Sequence, residues 1–146
     1  MRNVLKNNKH LDPKRIQRTR EFMDQAVDDC LVHNYEDLID SLVLPDPDDR
    51  HVLATAITER ADVIVTFNLK DFPKTALTPY GIEAQHPDEF LSHLIDLHPD
   101  QVCLAAKAMR NRLRKPPQTV EDYLMSLAKQ KLPQTVAFLA DRREFI

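Results

Sequence analysis

The chain has 146 residues, a formal net charge of −3 and two cysteines, which fits one domain with an appendage. Hydrophobic residues make up 42% and charged residues 29% of the sequence, a balance that excludes an intrinsically disordered chain. No apolar run approaches the ~20 residues of a membrane helix, and the first twenty residues lack the apolar segment of a secretory signal. We therefore predict a cytoplasmic protein without membrane contact.

Several kinds of site are excluded by composition. Cys30 and Cys103 lie far apart without C-x-x-C spacing, so we predict two buried free thiols. The six histidines form no H-x-x-x-H pair, which argues against zinc. Gly81 is the only glycine, which excludes glycine-rich phosphate loops and dinucleotide fingerprints. Any bound metal should therefore be a hard cation.

The amino-terminal part is predicted to be mainly helical. Asp12-Pro13 is a helix-start signal, because Asp caps the helix and Pro fits its first turn. We predict a strand over residues 30–33 and a brief helix from Tyr35 to Leu42. The first helix should carry one apolar stripe, formed by Ile16, Met23, Ala26, Val27 and Cys30.

The central part alternates between helix and strand. Asp46-Pro47 caps a helix that is predicted to reach about Ala61, with Val52, Leu53, Ala56 and Ile57 on its apolar face. Residues 63–65 are β-branched and predict a strand buried on both faces, and residues 82–85 predict another. His86-Pro87 then starts a helix to about Leu97. This alternation predicts an α/β fold with a short parallel sheet flanked by helices.

From Pro99 onward the pattern is helical only. We predict helices from Pro99 to about Arg114 and from Val120 to Lys129, and a last helix starting at Pro133. The expected division is an α/β domain over residues 1–98 and an all-helical extension over residues 99–146. The extension is too small to fold readily alone, so it should pack on the α/β domain.

Two acidic segments flank the central helix and strand. A helix that feeds directly into a parallel strand runs antiparallel to it, so Asp49 and Asp71 should face one crevice at the carboxyl edge of the sheet. Asp49 continues the apolar face of the helix, Asp48 should face solvent and Asp46 is best explained as the N-cap. Acids in a first helical turn also complement the helix dipole without any function. Spacing alone leaves catalysis and this structural role equally open.

Oxygen ligands from aspartates suit Mg²⁺ or Mn²⁺. Such a site usually needs two or three converging carboxylates, and the sequence offers two convincing ones. A basic segment that includes Lys107, Arg110 and Arg114 could follow RNA phosphates. The alternative is a solvated helix end, where basic side chains favour the dipole.

Residues 44–56 (Leu-Pro-Asp-Pro-Asp-Asp-Arg-His-Val-Leu-Ala-Thr-Ala) and residues 66–73 (Thr-Phe-Asn-Leu-Lys-Asp-Phe-Pro) resemble the PIN-domain family, in particular its VapC-like branch of bacterial toxin–antitoxin ribonucleases. The resemblance implies a PIN-like, Rossmann-like fold, Mg²⁺- or Mn²⁺-dependent cleavage of RNA, an antitoxin partner and a homodimer. Asp49 matches the third acidic position of the family. Asp71, with Thr66 and Asn68 beside it, matches the fourth region, and Asp46 would support them.

The first two acidic positions of the family, in an amino-terminal strand and an early helix, find no match here. We therefore expect a chain that starts inside the domain, with residues 1–5 as the end of that helix. Such a form should bind metal poorly, have weak or no activity alone and need its apolar slot closed by local chain or another molecule. The alternatives are a non-catalytic module that binds an antitoxin, a PIN subunit or RNA, and a native protein longer than this chain.

Overall fold

The computed structural model describes residues 12–27 and 30–146. Those residues form eight α-helices and a two-stranded parallel sheet, which confirms the predicted α/β fold with a helical carboxy-terminal part. The elements are α1 (Pro13–Ala26), α2 (Glu36–Ile39), α3 (Arg50–Thr58), β1 (Val63–Val65), α4 (Lys74–Leu77), β2 (Glu83–Gln85), α5 (Pro87–Leu97), α6 (Pro99–Arg112), α7 (Val120–Lys129) and α8 (Pro133–Ala140). None of the described helices is long and apolar enough to cross a membrane.

The sheet joins β1 and β2 in parallel, with Ile64 paired to Ala84. The N–H of Thr66 donates to the Gln85 carbonyl at 2.9 Å and continues the ladder past the end of β1. Ile64 is buried, whereas Val65 is 44% exposed. The prediction of a strand buried on both faces is therefore wrong, because α3 packs on one face and no described element buries the other.

The first core lies between α3, the sheet and the segments that flank them. Leu53 is the most deeply buried residue of the predicted apolar face of α3, and Val52 and Ile57 are half-buried at its margin. This core consists of Leu42, Leu44, Leu53, Ala54, Ala56, Ile64, Phe72, Leu77 and Ile82. It holds the amino-terminal end of α3 beside the carboxyl end of β1, so it fixes the crevice between them.

Helix α3 ends at Thr58, three residues before the predicted end at Ala61. Arg60 adopts a left-handed backbone with φ 53°. The N–H of Ala61 then donates to the Ala56 carbonyl at 2.9 Å and that of Arg60 to the Ile57 carbonyl at 3.1 Å. This is a Schellman motif formed without glycine, which explains why the sequence did not reveal the end of the helix.

In the amino-terminal part, the predicted start of the first helix is confirmed and the predicted strand is wrong. Helix α1 starts as predicted, with the Asp12 carboxylate accepting from the N–H of Lys14 at 2.9 Å. The predicted strand over residues 30–33 is wrong, because neither described strand runs beside it to pair with its backbone. Cys30 is exposed, which contradicts the predicted buried thiol, while Cys103 is buried as predicted. The interpretation of residues 1–5 lies outside the described residues.

The apolar stripe of α1 remains uncovered in the described part of the chain. Met23 and Val27 are each 60% exposed, and the neighbouring Phe22 is 57% exposed. Helix α2 is also shorter than predicted, since it spans Glu36–Ile39. Among the described residues, Met23 and Val27 of the predicted stripe therefore lie on an exposed apolar surface of α1.

The second core belongs to the helical extension and consists of Cys103, Ala106, Tyr123, Leu139 and Ile146. Helix α6 ends at Arg112, two residues before the predicted end, whereas α7 has its predicted bounds and a capping box between Thr119 and Asp122. The Arg110 guanidinium donates to the carbonyls of Gln118 at 3.0 Å and Ile146 at 3.4 Å. Arg110 thus ties α6 to the end of the chain.

A buried carboxylate connects α5 to the extension. Asp88 is 3% exposed and accepts from the N–H of Gln134 at 2.9 Å, and from the N–H and the hydroxyl of Thr135 at 2.9 and 2.8 Å. Helix α8 has no side-chain cap from its own N-cap residue, Leu132. Asp88 therefore caps α8 from another helix. The division at residues 98 and 99 stays a prediction, and this contact spans it.

Candidate metal centre

Three aspartates meet at the carboxyl edge of the sheet. Asp46 and Asp49 belong to the 3-10 turn that leads into α3, and Asp71 belongs to the 3-10 turn after β1. Each offers one carboxylate oxygen, and the three oxygens lie within 4.8 Å of one another. The structure thus brings Asp49 and Asp71 to one crevice, and it adds Asp46. We call these three residues the carboxylate cluster.

Asp46 has two roles in this arrangement. Its backbone is extended, Pro47 occupies the first helical position, and its Oδ1 accepts from the N–H of Asp48 at 2.9 Å. It is therefore the predicted N-cap, while it also faces Asp49 and Asp71. A carboxylate has two oxygens and about four acceptor positions, so capping does not exclude a ligand role. Asp48 is exposed and lies outside the cluster, as predicted.

The carboxylate cluster is electrostatically strained. The pKa of Asp49 is raised above its ordinary value, first by burial and then by the negative charges of Asp46 and Asp71, whereas His51 acts in the opposite direction. Neighbouring carboxylates disfavour the ionised form, and a cation favours it. An all-oxygen donor set of this charge fits a hard divalent cation such as Mg²⁺ or Mn²⁺. The residues present therefore fit the metal that the resemblance implies.

Thr66 and Asn68 support this cluster from the turn after β1. The backbone N–H of Asn68 donates to the Thr66 hydroxyl at 3.0 Å, and the Asn68 side-chain amide donates to the Asp71 carboxylate. Because Thr66 is itself hydrogen-bonded to the backbone of β2, the turn is anchored to the sheet. Asn68 orients Asp71, as residues behind metal ligands commonly do.

The basic residues that were predicted to bind RNA do not lie in this crevice. Lys107 lies on α6 and is exposed, and Arg114 lies beyond the end of that helix. Arg110 uses its guanidinium for the carbonyls of Gln118 and Ile146. Arg110 thus has a structural role, and RNA binding by Lys107 and Arg114 stays a prediction.

Two family models match this chain. A family model described as PIN domain matches residues 1–70, which include Asp46 and Asp49, and a model described as VapC50 C-terminal domain matches residues 87–141. The chain is 47% identical over 89 residues to VapC50 of Mycobacterium tuberculosis, which is named as a candidate ribonuclease. The match covers 61% of this chain and 52% of that protein, so the chain spans about half the length of the curated relative. No solved structure matches significantly.

Proposed function

The chain belongs to the PIN-domain, VapC-like family, and from this premise we propose that it is a metal-dependent endoribonuclease, the toxin of a toxin–antitoxin pair. The observation that carries the proposal is the approach of the Asp46, Asp49 and Asp71 carboxylates to within 4.8 Å. Its substrate would be RNA, and the family supports an antitoxin partner and a homodimer.

In the proposed mechanism, Asp46, Asp49 and Asp71 would hold Mg²⁺ or Mn²⁺. When bound, such a cation activates water and stabilises the charge that develops on a scissile phosphodiester. The protein contributes the fixed positions of the three carboxylates. The end of β1 and the start of α3 provide rigid supports on either side of the crevice, and the Asn68 amide keeps Asp71 turned towards the other two.

The resemblance implies four acidic positions, whereas three carboxylates meet in the part of the chain that the structure describes. Metal affinity depends on the number of charged ligands. We therefore propose weak cation binding and slow cleavage.

The second candidate is a non-catalytic module that binds an antitoxin or another PIN subunit. It is supported by the apolar surface of α1, where Phe22, Met23 and Val27 are 57%, 60% and 60% exposed among the residues that the structure describes. Exposed apolar patches commonly mark protein interfaces. The two candidates differ in whether the carboxylate cluster performs chemistry.

Incubation of the full chain with single-stranded RNA tests the proposal. We expect cleavage with Mg²⁺ or Mn²⁺, and none when the chelator EDTA removes the cation, because the cluster repels phosphate without one. Gel analysis of end-labelled RNA would show discrete internal products. A folded chain that leaves RNA intact over the millimolar range of both cations would contradict the ribonuclease and favour the binding module.

A further inference from the structure

We propose that Phe67 is a stacking platform for an unpaired base of single-stranded RNA at the rim of the carboxylate cluster. This inference rests on the proposed ribonuclease function and deepens it, because it names the form of RNA that the site accepts. Neither the spacing of the acids nor the resemblance pointed to this residue.

Phe67 lies between Thr66 and Asn68, in the turn that also carries Asp71, and its side chain is 56% exposed. A single exposed apolar residue needs no explanation in general. This aromatic ring, however, belongs to the same short turn as one carboxylate of the cluster, where a nucleotide beside the scissile phosphate would lie.

The ring is also held in place before any ligand arrives. It packs against the His86 ring in a T-shaped arrangement, with centroids 5.1 Å apart and an angle of 82° between the planes. His86 is fixed in turn, because its Nδ1 accepts from the N–H of Asp88 at 3.1 Å. The backbone on both sides of Phe67 is restrained by the hydrogen bonds of Thr66 and Asn68. A preorganised ring loses little entropy when a ligand binds.

The chemistry of an exposed phenyl ring selects the ligand. Nucleobases stack on aromatic side chains whatever their identity, and each such contact strengthens binding roughly 5- to 150-fold. Bases within a duplex are stacked on their neighbours, so their faces are not available. The site should therefore prefer unpaired RNA and show little preference among bases at this position.

Binding measurements can isolate this contact. Fluorescence anisotropy of the full chain with Mg²⁺ present, read before the slow cleavage consumes the probe, compares a short oligoadenylate with an abasic ribose-phosphate strand of the same length. Under these conditions, Phe67→Ala should weaken oligoadenylate binding about tenfold or more and leave abasic binding unchanged. Phe67→Trp should retain the affinity. Phe145→Ala is the matched control, because Phe145 is 57% exposed in the last turn of the chain.

The outcomes distinguish the stacking role of Phe67 from the proposed ribonuclease function on which it rests. If the chain without any substitution binds neither strand, the proposed function fails together with the stacking role. If it binds oligoadenylate and Phe67→Ala binds equally well, the stacking role alone is wrong. If Phe67→Ala weakens the binding of oligoadenylate and of the abasic strand equally, the stacking role is also wrong. A Phe67→Ala chain that changes only its oligomeric state would likewise overturn it, because the ring would then belong to a protein interface.

Discussion

Replacing Asp49 with asparagine should lower the rate of RNA cleavage by about 100-fold or more. Loss of a supporting residue behind a metal ligand already costs roughly 10- to 100-fold in activity, and Asp49 is placed as a ligand. Asparagine keeps the shape of the side chain but removes the charge that would hold the cation. The measurement is the initial cleavage rate of end-labelled RNA at saturating Mg²⁺. Asp48→Asn is the control, since Asp48 is exposed and lies outside the cluster.

Asp49→Asn should also stabilise the metal-free chain against unfolding. A lower cleavage rate of this variant would therefore reflect a lost function and not a lost fold. The pKa of Asp49 is raised by burial, Asp46 and Asp71. The negative charge of Asp49 therefore destabilises the fold at every pH above its pKa in the folded chain. This destabilisation decreases as the pH falls from the folded pKa to the lower pKa of the unfolded chain. A cleavage rate for Asp49→Asn equal to that of Asp48→Asn would contradict the assignment.

Replacing Asp88 with alanine should lower the free energy of unfolding by about 3 kcal/mol, because it leaves the buried N–H and hydroxyl of Thr135 and the part-buried N–H of Gln134 without an acceptor. For a chain of this size, that corresponds to a fall of roughly 6–12 °C in Tm. Thermal unfolding followed by circular dichroism measures it. Asp96→Ala is the control, since Asp96 is exposed on the same helix. Equal melting of the two variants would show that Asp88 does not join the helices.

The pH dependence of this effect has a defined sign. Burial raises the pKa of Asp88, but the hydrogen bonds from Thr135 and Gln134, with a smaller contribution from His86, outweigh it and leave the pKa below its ordinary value. The stabilisation by Asp88 is therefore fully present above the pKa that Asp88 has in the unfolded chain. It is lost as the pH falls through the lower pKa of the folded chain. The difference between the unsubstituted chain and Asp88→Ala should be constant near neutral pH and shrink only in acid.

Helix starts were predictable because their signals are local. Pro13, Pro87, Pro99 and Pro133 each occupy the first position of a helix, as their neighbours in sequence indicate. The strand predicted over residues 30–33 failed because a strand depends on a partner that local sequence does not specify. Helix α3 ended early through a left-handed Arg60, a conformation that sequence rarely reveals outside glycine and asparagine.

Two of the three carboxylates in the cluster were predicted from topology. A helix that runs back into a parallel strand must bring Asp49 and Asp71 to the same edge. The residues themselves predicted Asp46 as the helix cap, and only the resemblance implied a supporting role, because the sequence does not show that one carboxylate can cap a helix and face a crevice together. Asp88 was not singled out, since its partner Thr135 lies 47 residues away. Phe67 was missed because its exposure depends on the packing around it.

The most direct test of the proposed function is to locate a cation. Crystals of the full chain soaked in manganese chloride, with diffraction data collected on both sides of the manganese absorption edge, would show where the metal binds. We expect one anomalous peak between the carboxylates of Asp46, Asp49 and Asp71, and its loss in Asp49→Asn. Crystals that contain manganese elsewhere but show no peak among these three carboxylates would contradict the proposed metal centre.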